Sequence, residues 1–320
     1  MDMDSNILLN GEYSFFVDGV EVCKSKNILT KFGKRYITQM LAGQAGNAGK
    51  DIAVGIGSSV ATENDTQLEF EFYRSQVNLS SIDIQTSPLT GESTYGIVYK
   101  TTLPVDVAGV ITEVGLYPNI TLGATDYASK SISTFENPQS WVADDGSYAT
   151  AINSMLPKIG AIYLSLDVQS FSLNKYSYDF NIDISGYSPN DSLTFAYVQN
   201  DLNLDYIFIR MHSSLSDYYE IRFPADSSVG EKIKSLTLNN LYSSGHGEGA
   251  PDSSAIVKIS VGAKAKSSGA TQVLLDGLRI NDEDSFRSDY GLISRSALNT
   301  PIIKSLGRQM DIEYRLGLTF

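Results

Sequence analysis

Two short β-branched runs interrupted by glycine constrain this chain most: Ile52-Ala53-Val54-Gly55-Ile56-Gly57 and Val110-Ile111-Thr112-Glu113-Val114-Gly115-Leu116-Tyr117. Val and Ile fit the pleated strand, whereas glycine weakens it, since it loses the most backbone freedom on ordering and packs no side chain. Gly55, Gly57 and Gly115 therefore mark bulges or places where another group approaches the backbone closely. The rest of the chain is rich in aromatics and turn formers, with 19 Tyr, 13 Phe and 26 Gly in 320 residues. A mainly β protein with little helix is expected.

The length admits two domains, and a hydrophobic content of 42% gives each its own core. A net charge of -13, from 37 acidic and 24 basic residues, argues against sequence-independent nucleic-acid binding, which needs a basic face. Proteins, sugars or cations are the expected partners. The charge is uneven: residues 1–159 hold 10 basic and 18 acidic side chains, 160–285 hold 9 and 16, and 286–320 hold 5 and 3. The C-terminal piece thus differs in character from what precedes it. Cys23 is the only cysteine, which excludes a disulfide framework, a thiolate zinc site and a Cys-X-X-Cys pair. It reads as a small apolar side chain in a strand. The first five residues are acidic where a secretory leader is basic, and no run approaches the roughly 20 apolar residues of a membrane span. Synthesis in a cytoplasm and no membrane insertion are expected.

Residues 6–26 read as a hairpin turned by Asp18-Gly19, with Asn10-Gly11 offering a second turn upstream. From Ile28 the period shifts towards 3.6. Ile28, Leu29, Phe32, Tyr36, Ile37, Met40 and Leu41 then share one helical face, and Lys31, Lys34 and Arg35 lie on another. Asn27 or Thr30 supplies the N-cap and Gly43 the left-handed stop. The basic stripe reads as a solvated helix face. Further strands are expected over 68–73, 77–84 and 95–103, and Pro118 ends the strand that begins at Val110.

Several of these features fall in an order that resembles a family of tailed-bacteriophage structural proteins. The order is Gly11-X-Tyr13, Asn27-Ile28-Leu29-Thr30, Ile52-Ala53-Val54-Gly55-X-Gly57, Ala61-Thr62-X-X-Asp65-Thr66-X-Leu68, and Ile111-Thr112-Glu113-Val114-Gly115-Leu116-Tyr117. The resemblance implies a tail, baseplate or fibre-associated role in a virion, with other virion proteins as partners. It carries no catalytic residues.

Residues 119–159 show no clear period, and Asp144-Asp145-Gly146 and Pro157 punctuate them. Trp141, the single tryptophan, reads as packed beneath a loop rather than as a sugar platform. From Gly160 about eight strands follow, over 161–168, 176–184, 192–198, 204–211, 218–223, 232–238, 255–261 and 272–280, at the spacing of a jelly roll. The runs Asp205-Tyr206-Ile207-Phe208-Ile209-Arg210, Ser216-Asp217-Tyr218-Tyr219-Glu220 and Val273-Leu274-Leu275-Asp276-Gly277-Leu278-Arg279-Ile280 resemble concanavalin-like and carbohydrate-binding-module jelly rolls. That resemblance implies contact with a host-surface glycan and a structural calcium as a candidate, while the family's binding residues vary too much to transfer. Tyr218 and Tyr219 alternate across a strand, so one faces the core and the other the exposed face. Beyond residue 285, Ile312, Tyr314, Leu316, Leu318 and Phe320 alternate with Asp311, Glu313, Arg315 and Thr319. This half-buried strand is expected to return to the sheet of residues 1–118, making the jelly roll an insertion.

Chemistry is sparse. His212 and His246 lack the nucleophile context of a Ser-His-Asp site, and Gly245-His246-Gly247-Glu248-Gly249 lacks the Lys-Ser/Thr of a phosphate cradle. Asp144-Asp145-Gly146 and Asp282-Glu283-Asp284 carry calcium-type oxygens without EF-hand spacing, so a solvated turn is the better reading and the metal ligands stay unassigned. The expectation is a mainly β protein of two parts. The first is a β-sandwich assembly domain over 1–159 and 286–320 with one amphipathic helix, and the second a jelly-roll β-sandwich over 160–285. It is read as a non-enzymatic, homo-oligomeric virion component with no cofactor. Host-polysaccharide receptor, capsid decoration or head fibre, and last a glycan-degrading enzyme, are the alternatives.

Overall fold

The glycine-interrupted runs pair with each other, Ala53 against Gly115 and Gly55 against Glu113, inside the first of two units. The structure, a computed structural model, describes residues 8–44, 49, 51–86, 89, 93–118, 129–153, 157–281 and 291–319. The first unit comprises Met1–Asp126 with Ser285–Phe320, and the second Tyr127–Asp284.

The first unit contains β1 (Leu8–Val17), β2 (Val20–Lys26), β3 (Ile28–Leu29), α1 (Lys31–Leu41), β4 (Asp51–Gly55), β5 (Glu71–Gln76), β6 (Asn78–Thr86), β7 (Ser93–Leu103) and β8 (Gly109–Tyr117). After the second unit the chain adds β20 (Ser294–Lys304) and β21 (Met310–Thr319). Two five-stranded sheets result, ordered β2-β1-β21-β7-β6 and β3-β20-β8-β4-β5. Asp18 and Gly19 take φ of 51° and 78°, which matches the right-handed twist of the β1–β2 hairpin. Ile312, Tyr314 and Leu316 of β21 enter the core, where Tyr314 meets Tyr13 with ring centroids 4.7 Å apart. The Tyr13 hydroxyl lies 2.8 Å from Ser294 Oγ and so ties one sheet to the other.

Three expectations are corrected here. Asn10-Gly11 is no turn but part of β1, paired with Gly317 and Leu316, because β21 offers a continuous ladder. Ile28 and Leu29 form a short strand on β20, and the helix starts at Lys31 behind the Thr30 cap, whose Oγ1 accepts from Gly33 N at 2.9 Å. Leu41 points to solvent, 65% exposed.

One buried network organises this unit. Glu113, fully buried on β8, accepts from the backbone N–H groups of Gly57 (2.9 Å), Glu69 (3.0 Å) and Phe70 (2.9 Å). Arg295 of β20 donates to it through Nε at 3.0 Å and Nη2 at 2.8 Å. The same guanidinium reaches Asp65 Oδ2 (2.8 Å) and Ser59 Oγ (3.0 Å). Gly55 and Gly57 are required here, since a Cβ on either would fall 2.4 Å and 2.6 Å from Glu113 Oε1. Burial pushes the Glu113 carboxyl up, opposed by Arg295 and the three amides. Asp65, by contrast, is held below the usual carboxylate range: burial works against ionisation, but hydrogen bonds from Arg295 and Thr62 outweigh it.

The second unit contains β9 (Ser129–Ser133), β10 (Val142–Ala143), β11 (Thr150–Ile152), β12 (Tyr163–Val168), β13 (Leu173–Ile182), β14 (Ser192–Gln199), β15 (Leu204–His212), β16 (Tyr218–Pro224), β17 (Gly230–Thr237), β18 (Ile256–Ala265) and β19 (Thr271–Asn281). A short helix, α2 (Leu238–Tyr242), follows β17. Numbering β12 to β19 as first to eighth, the two sheets run 1-8-3-6 and 2-7-4-5. This interleaving of the two sheets is that of the eight-stranded jelly roll. One core lies between them, with Phe195, Ile207, Ile209, Phe223, Val261 and Leu275 among its members.

Residues 127–159 belong to this unit, not to the first as expected. β9 pairs with β19, β10 with β13 and β11 with β12, and Trp141 and Phe135 are buried in the jelly-roll core. The segment reads poorly because its strands are two to five residues long, too short to show a period. Among the described residues no helix is long and apolar enough to cross a membrane.

Removing Glu113 leaves three buried amides without their acceptor and the buried Arg295 with Asp65 as its remaining counter-ion. Glu113→Ala is expected to destabilise the first unit by about 3–5 kcal/mol. Hydrogen–deuterium exchange will read this as lost protection in β4, β8 and β20, while β13 and β18 keep theirs.

Candidate functional site

The sheet β10-β13-β18-β15-β16 has one side in the core and one outside, and its register fixes which side chains share the outside. Across β13, β18, β15 and β16 one outward row is Asp179, Lys258, His212 and Tyr218. The next is Ser177, Ser260, Arg210 and Glu220. A third is Lys175, Gly262, Phe208 and Arg222, and beyond it lie Lys264 and Tyr206. The alternate residues Ile207, Ile209, Met211, Ile221 and Phe223 are buried in the core.

Glu220, 1% exposed, anchors the centre. Its Oε2 accepts from Arg210 Nε and its Oε1 from Arg222 Nε, each at 2.6 Å. Both guanidinium groups are also laid on aromatic rings. Arg210 Cζ stands 4.5 Å from the Tyr218 centroid and 4.8 Å from that of Phe208, and Arg222 Cζ stands 4.7 Å from Tyr206. Stacking and charge-assisted bonds together fix two otherwise flexible side chains. Phe208 lies across the sheet because β18 carries glycine opposite it: a Cβ on Gly262 would come within 2.2 Å of the ring.

Beside this cluster His212 Nε2 lies 2.9 Å from Ser260 Oγ, which lies 2.8 Å from Ser177 Oγ. Burial, with Arg210, Lys175 and Lys258 nearby, pushes the imidazole down to about 4. His212 is therefore neutral at pH 7 and serves the face as a hydrogen-bonding ring. Three lysines border the centre, each paired with an exposed acid: Lys175 with Asp144, Lys258 with Asp179 at 3.6 Å and Lys264 with Asp205 at 3.7 Å.

The residues singled out in the sequence divide sharply. Tyr218 is on the outward face, while Tyr219 packs on the core and donates to Pro251 O at 2.8 Å. Trp141 is 2% exposed between Phe135 and Tyr178, which fills the core and offers no sugar platform. His246 is exposed in a turn, and Glu248 of the glycine loop exchanges backbone bonds with Tyr218. Asp145 is occupied by Ser147 N and Oγ, and Asp144 by Lys175, so the two carboxylates diverge. Asp282-Glu283-Asp284 lies outside the described residues. Among the described residues no group of three His, Cys, Asp or Glu side chains converges as metal ligands. Cys23 is a free, partly buried thiol on β2. Lys34 of the helical stripe pairs with exposed Glu63.

Arg210, Glu220 and Arg222 escape sequence reading as site residues. Their signal is a charge at every second position within otherwise apolar strands, which aims them at one face.

No protein-family model and no curated protein matches the chain. Among solved structures it is similar to a family 11 carbohydrate-binding module from Clostridium thermocellum, in complex with a β-1,3-1,4-mixed-linked tetrasaccharide. Identity is 14%, over 49% of this chain and 97% of that one, with a TM-score of 0.35. It is also similar to a family 30 carbohydrate-binding module of a cellulosomal cellulase from Clostridium thermocellum, with 15% identity over 49% and 98% and a TM-score of 0.37. An exo-β-agarase matches at 16% identity over 49% of this chain, with a TM-score of 0.34, and the chain spans only 26% of that protein's length.

The depressed His212 value has a definite sign. The folded state favours the neutral ring, so its contribution to stability is complete above about pH 6.5, the unfolded value. It is lost as pH falls through the folded value of about 4. In NMR the His212 ring is expected to stay neutral through about pH 6.5 and to titrate near 4. His212→Gln removes that part of the acid sensitivity of the second unit, read as the change of urea midpoint between those two pH values.

Proposed function

We propose that the chain is a non-enzymatic structural component of a tailed-phage particle. In this reading the first unit docks to other virion proteins and the jelly roll presents its β10-β13-β18-β15-β16 face to saccharide. The observation that carries the saccharide reading is the outward face itself. It is a rigid sheet surface on which Arg210, Arg222, Lys258 and Tyr206 stand in fixed register, and their N–H and O–H groups match the hydroxyl-rich edges of sugars. The virion setting is supported by the ordered motifs of residues 11–117. Gly55, Gly57, Asp65 and Glu113 of those motifs meet in one buried clamp. A single such face binds weakly, and repetition on a homo-oligomeric, symmetric particle multiplies its strength. Enzymatic cleavage finds no support at the centre of the face, where both oxygens of Glu220 are taken by guanidinium groups.

The test uses the full chain on a polysaccharide panel, by affinity electrophoresis, with mass spectrometry of particles purified from lysates of the host carrying the gene. Binding that Tyr206→Ala weakens by about tenfold, or 1.4 kcal/mol, is the expected result. Lys232→Gln, on β17 of the other sheet, is expected to leave it unchanged. Absence of binding to every polysaccharide would overturn the saccharide reading, and absence of the chain from the particles would overturn the virion setting.

A further inference from the structure

The face offers an unusual kind of sugar platform. Neutral sugars are typically held by open aromatic rings and a few hydrogen bonds. Here the ring of Tyr218 is covered by Arg210 and that of Tyr206 by Arg222, with Lys264 Nζ 5.7 Å from the Tyr206 centroid as well. What the tyrosines present is guanidinium rather than bare π surface. Each guanidinium is held to Glu220 through Nε alone, and its terminal N–H groups have no hydrogen-bond partner among the described residues. Arg222 is 35% exposed at its side chain and Arg210 19%, so these edges reach solvent, while Glu220 beneath them is covered.

Charge placement points the same way. The jelly-roll unit is acidic, yet five of the eleven Lys and Arg residues between 127 and 284 stand on this one face: Lys175, Arg210, Arg222, Lys258 and Lys264. The acids that accompany the lysines are at the margin and exposed, Asp144 by 74%, Asp179 by 88% and Asp205 by 43%, and pairs with an exposed acid of this kind contribute little. At the centre two guanidinium groups share one carboxylate, which leaves a net positive charge with unoccupied planar donors.

We infer that this face recognises an acidic saccharide, one bearing carboxylates of the uronic-acid type, with Arg210 and Arg222 as the carboxylate-reading residues. The inference rests on the saccharide reading above and names its substrate class. A planar carboxylate fits two parallel N–H donors of a guanidinium, a match that an ammonium does not provide. Tyr206, Tyr218 and Glu220 are positioning residues that hold the forks. His212 and Ser260 are buried alongside, bonded to each other and, through Ser260, to Ser177, and hold the neighbouring rows in place.

The experiment measures binding of the full chain to polygalacturonate, to dextran sulfate and to neutral mixed-linked glucan at physiological salt. Polygalacturonate is expected to bind most tightly, with affinity falling as salt rises. Arg222→Gln is expected to weaken it on the order of tenfold to a hundredfold. Arg222→Lys keeps the charge and is expected to recover little of the loss. Thermal unfolding of each variant shows whether the fold is kept, and Lys258→Gln, a change at the edge of the same face, provides a milder second variant if Arg222→Gln fails to fold. Tight binding to the neutral glucan with no preference for polygalacturonate overturns the inference and leaves the saccharide reading standing. Binding to dextran sulfate alone, or polygalacturonate binding unmoved by Arg222→Gln and by Lys258→Gln, overturns it as well. Failure to bind any of the three, or any other polysaccharide of the panel, overturns both.

Discussion

A carboxylate removed from water must find all its hydrogen bonds within the protein, and at Glu113 that requirement shapes the whole first unit. Its amide donors come from Gly57, Glu69 and Phe70, so satisfying the charge also pins residues 56–70 over the β4–β8 pair. Its counter-ion, Arg295, lies 182 residues further along the chain. The clamp is therefore incomplete until the segment after the jelly roll has returned. Two glycines, Gly55 and Gly57, follow from the same requirement, because the carboxylate occupies the volume their side chains would fill.

The jelly roll uses the same chemical pair to a different end. Glu113 and Arg295 are covered together, at 0% and 3% side-chain exposure, so every donor is turned inward. Glu220 is equally covered, but Arg222 is 35% exposed and only its Nε is engaged. Exposure decides the role. A guanidinium enclosed with its acceptors contributes to the fold, while one fixed by its inner edge and open at its outer edge keeps donors for solvent or, in the proposed reading, for a ligand, with little side-chain entropy left to lose.

Much of the architecture is written in local pattern. Asp18-Gly19 announces its turn by the positive φ it needs, Thr30 its helix cap, and the alternation of Ile312, Tyr314 and Leu316 with Glu313 and Arg315 a strand with one buried face. The eight jelly-roll strands are visible for the same reason. The candidate site is not, because the run Tyr206-Ile207-Phe208-Ile209 is apolar or aromatic on both faces and the alternation that would separate core from surface is blurred. Only the register with β16 and β18 shows that Phe208 lies outward beneath Arg210. Glu113 is hidden likewise, a single charge in a β-branched strand whose partners are distant in sequence. Residues 129–152 resist reading because they add strands at the margins of sheets whose centres lie elsewhere.

An inserted unit is tolerated when its two ends emerge side by side and the host strands it interrupts are neighbours. Both conditions hold. In the jelly roll the first strand, β9, pairs with the last, β19, Ser129 opposite Asn281. In the first unit the strands flanking the insertion, β8 and β20, also pair, Leu116 opposite Ser294. The host sheet therefore needs only a closure between adjacent strands at that point, and closure entropy grows slowly with the length of what is closed. Arg295 stands one residue beyond that junction, opposite Gly115, so the returning chain, once Leu292 and Ile293 have bonded to Thr66 and Leu116, next delivers the charge that neutralises Glu113. The ion pair thus fixes the register of β20 on β8, since a slip of one residue would turn Arg295 to the other face of the sheet and leave the buried carboxylate without its counter-charge.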